Sequence, residues 1–106
     1  MMPDYTKGDE KRKGYTLMLF GTEWCEPCKS LKANLKNIMP PLEGMGVKNF
    51  FYVDGDKWTA FRQTQRIQLY PTLVLYKDGI EVTRVFGLSP NAYLPHIKRA
   101  IEHNER

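Results

Sequence analysis

The distribution of apolar and polar residues divides the chain into blocks with different periods. A short apolar run over residues 16–20 lies between two glycines and predicts a buried strand. From residue 27 the period changes to that of an amphipathic helix, whose apolar positions fall at i, i+3, i+7 and i+10. These positions are Cys28, Leu31, Leu35 and Ile38. We expect the helix to end at Pro40-Pro41, because proline has no amide hydrogen to continue it.

The second half of the chain predicts a further strand and helix, and then a hairpin. Residues 47–53 form the strand, and the Asp-Gly-Asp sequence after it is typical of a turn. We expect Asp56, the last residue of that turn, to cap a helix over residues 57–66. Residues 72–76 and 80–86 predict two more strands, and the Lys-Asp-Gly sequence at their junction favours a tight hairpin turn.

A last helix follows the hairpin. Ser89 is expected to be its N-cap and Pro90 its first residue, a position where proline is favoured. Pro95 would disturb such a helix, so the sequence predicts either a kink or a start nearer Asn91. The order of elements is β-α-β-α-β-β-α, and its strand–helix–strand unit makes the first two strands parallel neighbours. We therefore expect an α/β fold with a mixed four-stranded sheet and helices on both faces.

The composition places the chain among small single-domain proteins. Its 106 residues are 42% hydrophobic, enough for one packed core, and the net charge of +4 is small. A mild basic excess is typical of a solvated surface, and no apolar run approaches the ~20 residues of a membrane span. We expect a monomer without nucleic-acid or membrane partners.

The N-terminal residues 1–14 mix Lys, Asp, Glu and Gly and lack the apolar stretch of a secretory signal. We expect them to form a flexible, solvated segment, followed by one domain over residues 15–106. A cytoplasmic location is the direct interpretation. A periplasmic or other extracytoplasmic location is the alternative, if a signal sequence has been removed.

Cys25 and Cys28 are the only cysteines of the chain, and they lie where the first strand gives way to the first helix. Cys25 is expected at the helix N-terminus, where unpaired amide groups and the helix dipole stabilise a thiolate, the form that attacks disulfides. Cys28 is expected one turn deeper on the apolar face, close enough to attack a mixed disulfide formed on Cys25. Placement and spacing together favour a reactive pair.

Other interpretations of the pair are less favoured. A structural disulfide would close only a very short loop and would constrain the unfolded chain very little. A zinc site needs about four ligands, and the only histidines, His96 and His103, are not spaced as a ligand pair. Two unrelated thiols would have no reason to occupy this junction, and a metal-bridged dimer is a further alternative. We expect no metal and no cofactor other than a redox-active Cys25–Cys28 disulfide.

Several segments together resemble the thioredoxin family. They are WCEPCK after an apolar strand, YPTLVLYKDG at residues 70–79, Gly87 after the hairpin, and the final amphipathic helix. The resemblance covers about residues 15–104 and is carried by a CxxC sequence joined to a later Pro-Thr strand and turn. It implies a thioredoxin-like fold and thiol–disulfide exchange with protein disulfides.

The resemblance implies a role for each residue of the cysteine motif. Cys25 corresponds to the attacking cysteine and Cys28 to the resolving one. Trp24 corresponds to the aromatic residue that flanks the site, and Pro27 to the proline that shapes the motif and its helix.

The resemblance also implies a groove for the backbone of a substrate polypeptide. Pro71 corresponds to the family's cis-proline, which packs against the disulfide. Tyr70, just before it, is expected to contact the bound polypeptide, and Gly87 is expected on the far rim of the groove.

Glu26 departs from the family pattern, which has glycine at this position between the cysteines. Its carboxylate disfavours the neighbouring Cys25 thiolate by like-charge repulsion, and Lys29 offsets part of that effect. Weak stabilisation of the thiolate favours a reductant, since strong oxidants are those whose reduced form is stabilised.

Leu19 is a second departure. The resemblance places there a buried aspartate that assists deprotonation of the resolving thiol, and the lysine partner of that aspartate corresponds to about Phe50. Both positions are apolar in this chain. Glu23 or Glu26 could take over the role through water.

The sequence therefore predicts a protein-disulfide reductase whose partners are protein disulfides and an electron donor similar to thioredoxin reductase. An oxidant or isomerase is the alternative direction of the same chemistry. Two other classes stay open: a thioredoxin-fold partner subunit with incidental redox activity, and an extracytoplasmic disulfide oxidoreductase of the cytochrome-maturation type, whose Glu-Pro motifs the chain resembles.

Overall fold

The computed structural model describes residues 2–106 and shows one mixed sheet with helices packed on both of its faces. Its strands are β1 (Tyr15–Gly21), β2 (Val47–Asp54), β3 (Thr72–Lys77) and β4 (Ile80–Phe86). Its α-helices are α1 (Glu26–Gly44), α2 (Thr59–Thr64) and α3 (Tyr93–Asn104). The strand order is β2-β1-β3-β4, with β1 and β2 parallel and the other neighbours antiparallel. The fold class expected from the sequence is confirmed.

Strand β1 lies inside the sheet and supplies apolar side chains to both faces, because neighbouring residues of a strand point in opposite directions. Leu17 and Leu19 pack on the face that α1 and α3 cover. Met18 and Phe20 pack on the other face, against Phe61 of α2. A strand buried on both faces has an unbroken apolar sequence, which explains the run that predicted it.

Helix α1 continues through Pro40 and Pro41, so the prediction that these prolines end it is wrong. The apolar stripe of α1 continues past them to Leu42, which is completely buried in the core. Each proline removes one helical hydrogen bond, to the carbonyl four residues earlier. Those carbonyls belong to Lys36 and Asn37, which are exposed to solvent, so water can hydrate them. Burial of Leu42 and of the rest of the apolar stripe favours continuation of the helix past both prolines.

The last helix begins later than expected. Pro90 starts a short 3₁₀ helix (Pro90–Ala92), and α3 begins at Tyr93. Pro95 therefore lies in the first turn of α3, where its missing amide hydrogen breaks no helical hydrogen bond. Ser89 is the N-cap residue of this 3₁₀ helix and not of α3, and its side chain makes no capping hydrogen bond. No helix within residues 2–106 is long and apolar enough to cross a membrane.

The N-terminal segment packs against the edge of the sheet, in contrast to the solvated segment expected from its composition. Tyr52 of β2 donates its amide hydrogen to the Pro3 carbonyl, and Tyr5 donates to the Tyr52 carbonyl, both at 2.8 Å. The Tyr5 ring is buried and stacks on Phe61, with ring centroids 4.5 Å apart. Aromatic burial and backbone pairing therefore hold this charged segment on the domain.

Asp9 anchors the N-terminal segment, and its replacement should loosen it. The carboxylate accepts hydrogen bonds from the Thr6 amide, the Thr6 hydroxyl and Arg12 Nε, at 2.8, 3.0 and 3.0 Å. Burial acts to raise the pKa of Asp9, but these hydrogen bonds outweigh it and hold the pKa below its ordinary value. A pKa lowered by folding gives a stabilising contribution above the ordinary pKa, and this contribution is lost as pH falls.

We expect Asp9→Asn to lower the free energy of unfolding by about 1–2 kcal/mol at neutral pH. The loss should shrink at acid pH, below the lowered pKa of Asp9, where the wild-type carboxyl also becomes protonated. Urea unfolding at both pH values measures it, with the exposed Glu43→Gln as the control variant. Equal losses of unfolding free energy at the two pH values would show that the charge of the Asp9 carboxylate does not stabilise the fold.

Candidate active site

Cys25 and Cys28 form a disulfide at the junction of β1 and α1, where the sequence predicted the pair. Helix α1 begins at Glu26, so Cys25 is the N-cap residue, and its sulfur accepts the Cys28 amide hydrogen at 3.3 Å. Pro27 lies in the first turn, where its missing amide hydrogen is tolerated. The N-terminus of α1 therefore points an amide at the Cys25 sulfur, a place where a helix stabilises negative charge.

The two sulfurs differ in depth. Cys25 retains 6% of its surface and Cys28 2%, and Cys28 lies on the apolar stripe of α1 with Leu31 and Leu35. Gly21, at the end of β1, makes room for the deeper sulfur, because a Cβ there would lie 3.1 Å from Cys28 Sγ. The arrangement expected from helical spacing, a shallower Cys25 and a deeper Cys28, is present.

An apolar groove of about 640 Å³ runs beside the cysteine motif. Glu26 and Pro27 line it from α1, while Tyr70, Pro71 and Gly87 line it from the loops around β3 and β4. The Tyr70–Pro71 peptide bond is cis, as the resemblance implied, and Gly87 has a φ of 71° that favours glycine. The other lining residues are Ser30, Leu31, Leu69, Leu88, Pro90 and Tyr93.

Trp24 lies on the surface beside the disulfide with 68% of its area exposed. Its indole Nε1 donates a hydrogen bond to Asp56 Oδ2 at 2.8 Å, and its ring meets the Tyr70 ring edge-on, with centroids 6.1 Å apart. Asp56 does not cap α2, which begins at Thr59, so the prediction for this residue is wrong. Residues that follow two parallel strands meet at one edge of a sheet. That rule, applied to the turn after β2, would have indicated that Asp56 lies near the cysteine motif.

Gly55 allows Tyr70 to lie against the turn after β2. A Cβ at this position would collide with the Tyr70 hydroxyl, and the Gly55 amide donates to the Gly21 carbonyl at 2.8 Å. Burial raises the pKa of the Tyr70 hydroxyl above its ordinary value, so the phenol stays neutral at physiological pH. The sequence indicated only a turn at Gly55, because its contact with Tyr70 depends on tertiary packing.

Glu26 and Lys29 form an ion pair on the surface of α1, with Lys29 Nζ 3.2 Å from Glu26 Oε1. Their side chains are 82% and 60% exposed, so the pair contributes little to stability, about 0–1 kcal/mol. It places a cation next to the carboxylate that the sequence predicted to oppose the Cys25 thiolate.

Leu19 and Phe50 are both buried in the core beneath α1. These positions therefore carry apolar packing and no carboxylate–lysine pair. Within residues 2–106, no group of three or more His, Cys, Asp or Glu side chains is arranged to hold a metal ion. A proton acceptor for Cys28 has to come from elsewhere in the site.

Comparison with known proteins agrees with this geometry. A sequence profile of the Thioredoxin family matches residues 4–99. A thioredoxin of Chlamydia pneumoniae is 33% identical over 84 residues, which are 79% of this chain and 79% of that protein. Thioredoxin-2 of Saccharomyces cerevisiae is 35% identical over 85 residues, 80% of this chain and 75% of that protein. The crystal structure of oxidised mitochondrial thioredoxin 3 from the same yeast superposes with a TM-score of 0.74 at 27% identity, covering 85% of this chain and 82% of that one.

A disulfide at the start of a helix, beside a groove that contains a cis-proline, defines a thiol–disulfide oxidoreductase. A thioredoxin from Trypanosoma brucei brucei shares the fold, with a TM-score of 0.81 over 96% of this chain and 92% of that one at 20% identity. The chain belongs to the thioredoxin family.

The hydrogen bond to Asp56 should hold the Trp24 indole in place, and Asp56→Ala should release it. In a Trp58→Phe background Trp24 is the only tryptophan, so its fluorescence reports this change alone. We expect lower anisotropy of the Trp24 emission, because an unanchored ring rotates more freely. Stability should change by less than about 1 kcal/mol, because the bond is solvent-exposed.

The control for this measurement is Glu23→Gln in the same background, which removes an exposed acidic neighbour of Trp24 that does not bond the indole. If Asp56→Ala and Glu23→Gln left the anisotropy equally unchanged, the hydrogen bond would not be what orients Trp24.

Proposed function

We propose that the chain is a protein-disulfide reductase in which Cys25 attacks and Cys28 resolves. The observation that carries this proposal is the Cys25 sulfur at the N-cap of α1, beside an apolar groove with a cis-proline. The Cys25 thiolate bonds to one sulfur of a client disulfide, and the other client sulfur leaves as a thiolate. Cys28 then attacks Cys25 and releases the second client sulfur. The client gains two electrons, and Cys25–Cys28 becomes the disulfide.

Two features support this assignment of the cysteines. Cys25 is the more exposed of the two, and an amide of α1 points at its sulfur. The helix N-terminus stabilises the thiolate that attack requires. Cys28 is almost completely buried, and its Cα lies 5.3 Å from that of Cys25, which supports the proposal that it attacks a disulfide on Cys25.

We assign binding of the client polypeptide to the groove and its rim. Trp24, Leu69 and Leu88 expose apolar side chains there, which supply contact area for an extended segment. Gly87 has open space where a side chain would stand, so a client backbone can approach it closely. Tyr70 and Pro71 line the groove together with Pro27, which lies between the two cysteines in the chain.

We further propose that the pair acts as a reductant, in a compartment such as the cytoplasm that keeps thiols reduced. Glu26 opposes the Cys25 thiolate, and its exposed ion pair with Lys29 offsets only part of this repulsion. A weakly stabilised reduced form is the better electron donor. A donor similar to thioredoxin reductase would restore the dithiol, and no cofactor beyond the disulfide is required.

Reduction of insulin disulfides in the presence of a dithiol donor tests this function. We expect Cys25→Ser to fall to the uncatalysed background, because it lacks the nucleophile. We expect Cys28→Ser to stop at a mixed disulfide with the client, which non-reducing electrophoresis detects. A wild-type chain without turnover, together with partner binding that survives Cys25→Ser, would instead indicate a partner subunit with incidental redox activity.

The proposed role of Glu26 predicts a change in reduction potential. We expect a reduction potential of about −270 mV for the wild type. The potential of Glu26→Gln should be less negative by roughly 10–30 mV, because loss of the carboxylate stabilises the reduced thiolate form. Equilibration with glutathione buffers measures both potentials, and Glu43→Gln at the far end of α1 is the matched control. A Glu26→Gln potential equal to that of Glu43→Gln would show that Glu26 does not modulate the pair.

A further inference from the structure

A polar pocket of about 420 Å³ reaches Cys28 separately from the substrate groove, and the two cavities share no lining residue. Cys28 lines this pocket and does not line the groove. The charged groups that face the pocket are Asp4, Glu23, Lys29, Lys32, Asp54 and Lys57. The pocket therefore connects the buried sulfur with solvent by a path that a client in the groove leaves open.

Thr22 lines this pocket, and its buried hydroxyl has no protein partner in the described part of the chain. Thr22 is 99% buried, with a relative exposure of 1%, and its Oγ1 has no hydrogen-bond partner among residues 2–106. An unpaired buried hydroxyl costs stability, so packing alone does not explain it. A polar pocket of this size has room for water, which could bond to that hydroxyl.

Three carboxylates line the pocket, and two of them, Glu23 and Asp54, lie where β1 and β2 end. Glu23 follows Thr22 directly, and Asp54 has one oxygen held by the Asp56 amide at 2.9 Å while its other oxygen is available. Tyr52 lines the same pocket as both carboxylates, and burial, followed by the charges of Asp54 and Glu23, raises the pKa of its hydroxyl. The Tyr52 ring in turn adjoins the space beside Gly21 that Cys28 Sγ occupies.

The chemistry of Cys28 requires a proton acceptor, because the thiolate is the form that attacks. Leu19 is apolar and buried, so the core beneath the sulfur offers no acceptor. Glu26 lines the substrate groove, outside the Cys28 pocket, and is paired with Lys29. Of the two glutamates near the motif, only Glu23 shares a cavity with the Cys28 sulfur.

We propose that the Cys28 proton leaves through this pocket, with the Thr22 hydroxyl and water as the relay and Glu23 and Asp54 as the accepting carboxylates. The inference rests on the proposed reductase function. The Cys28 S–H bond breaks as a water takes the proton and passes it to a carboxylate, and the sulfur then bonds to Cys25 Sγ. The bond between Cys25 and the client sulfur breaks, and the client leaves as a thiolate that takes a proton from solvent. The client disulfide is the oxidant.

Single-turnover reaction with dithiobis-nitrobenzoate separates the two steps, because attack and resolution each release one coloured thiolate. With the reduced protein in excess, the first phase reports Cys25 and the second reports Cys28. We expect the double variant Glu23→Gln/Asp54→Asn to slow the second phase by about tenfold or more and to leave the first phase within about twofold of wild type. The slowing should be largest at low pH, where hydroxide cannot replace the missing acceptors.

The matched control is Glu43→Gln/Glu102→Gln, which makes the same change in net charge at exposed positions outside the pocket. Glu23→Gln and Asp54→Asn alone divide the effect between the two carboxylates. If wild type shows both phases and the double variant has the same second-phase rate, the proton route is overturned and the reductase proposal stands. A wild type that releases no second equivalent overturns the reductase proposal with it.

Thr22→Val separates the relay from a structural role, because valine has the same shape without the hydroxyl. We expect its melting temperature to equal that of wild type, since the Thr22 hydroxyl has no hydrogen bond to the protein within residues 2–106 that the substitution could remove. Its second phase should nevertheless slow about threefold or more, with the first phase unchanged. A Thr22→Val protein with a wild-type second phase would remove the hydroxyl from the route.

Discussion

The contact between the Cys25 sulfur and the first turn of α1 is the constraint on which the rest of the site depends. Helix α1 cannot rotate to change that contact, because its apolar stripe, including Leu31 and Leu42, is buried against the sheet. This fixed orientation of α1 about its axis also sets Cys28 one turn deeper, on the buried face of the helix. Core packing along the whole length of α1 therefore positions two sulfur atoms at one of its ends. This is why α1 continues through two prolines that would end a less firmly packed helix.

The edge of the sheet where the parallel strands β1 and β2 end assembles the remaining parts of the site. The turn after β2 brings Asp56 to the Trp24 indole and Gly55 to the Tyr70 ring. Strand β3 runs antiparallel to β1, so it begins at this same edge, and the cis-proline precedes it there. The result is an asymmetric pair of cavities, with an apolar groove on one side of the cysteine motif and a polar pocket against Cys28.

Residues whose environment is local were predictable, and residues whose partners are distant were not. The hairpin turn followed from its Asp-Gly pair, which adopts the positive φ angles that a two-residue turn needs. Asp56 had an adequate local explanation as a helix cap, but an indole 32 positions away binds it instead. The charged N-terminal segment suggested solvation, yet Tyr5 finds aromatic partners on α2 and a backbone partner on β2. In both cases a long-range contact outweighed a local preference.

The sequence by itself determined the order of the elements, the parallel start of the sheet and the position of the cysteines at a strand–helix junction. Apolar periodicity suffices for these features, because it reflects which face of each element is buried. Only the tertiary structure decided which acidic residue faces which sulfur. Glu23 and Glu26 flank Cys25 closely in the chain, but α1 begins at Glu26, which lines the groove, while Glu23 precedes the helix and lines the Cys28 pocket. Two glutamates only three residues apart therefore lie in different chemical environments once α1 packs on the sheet.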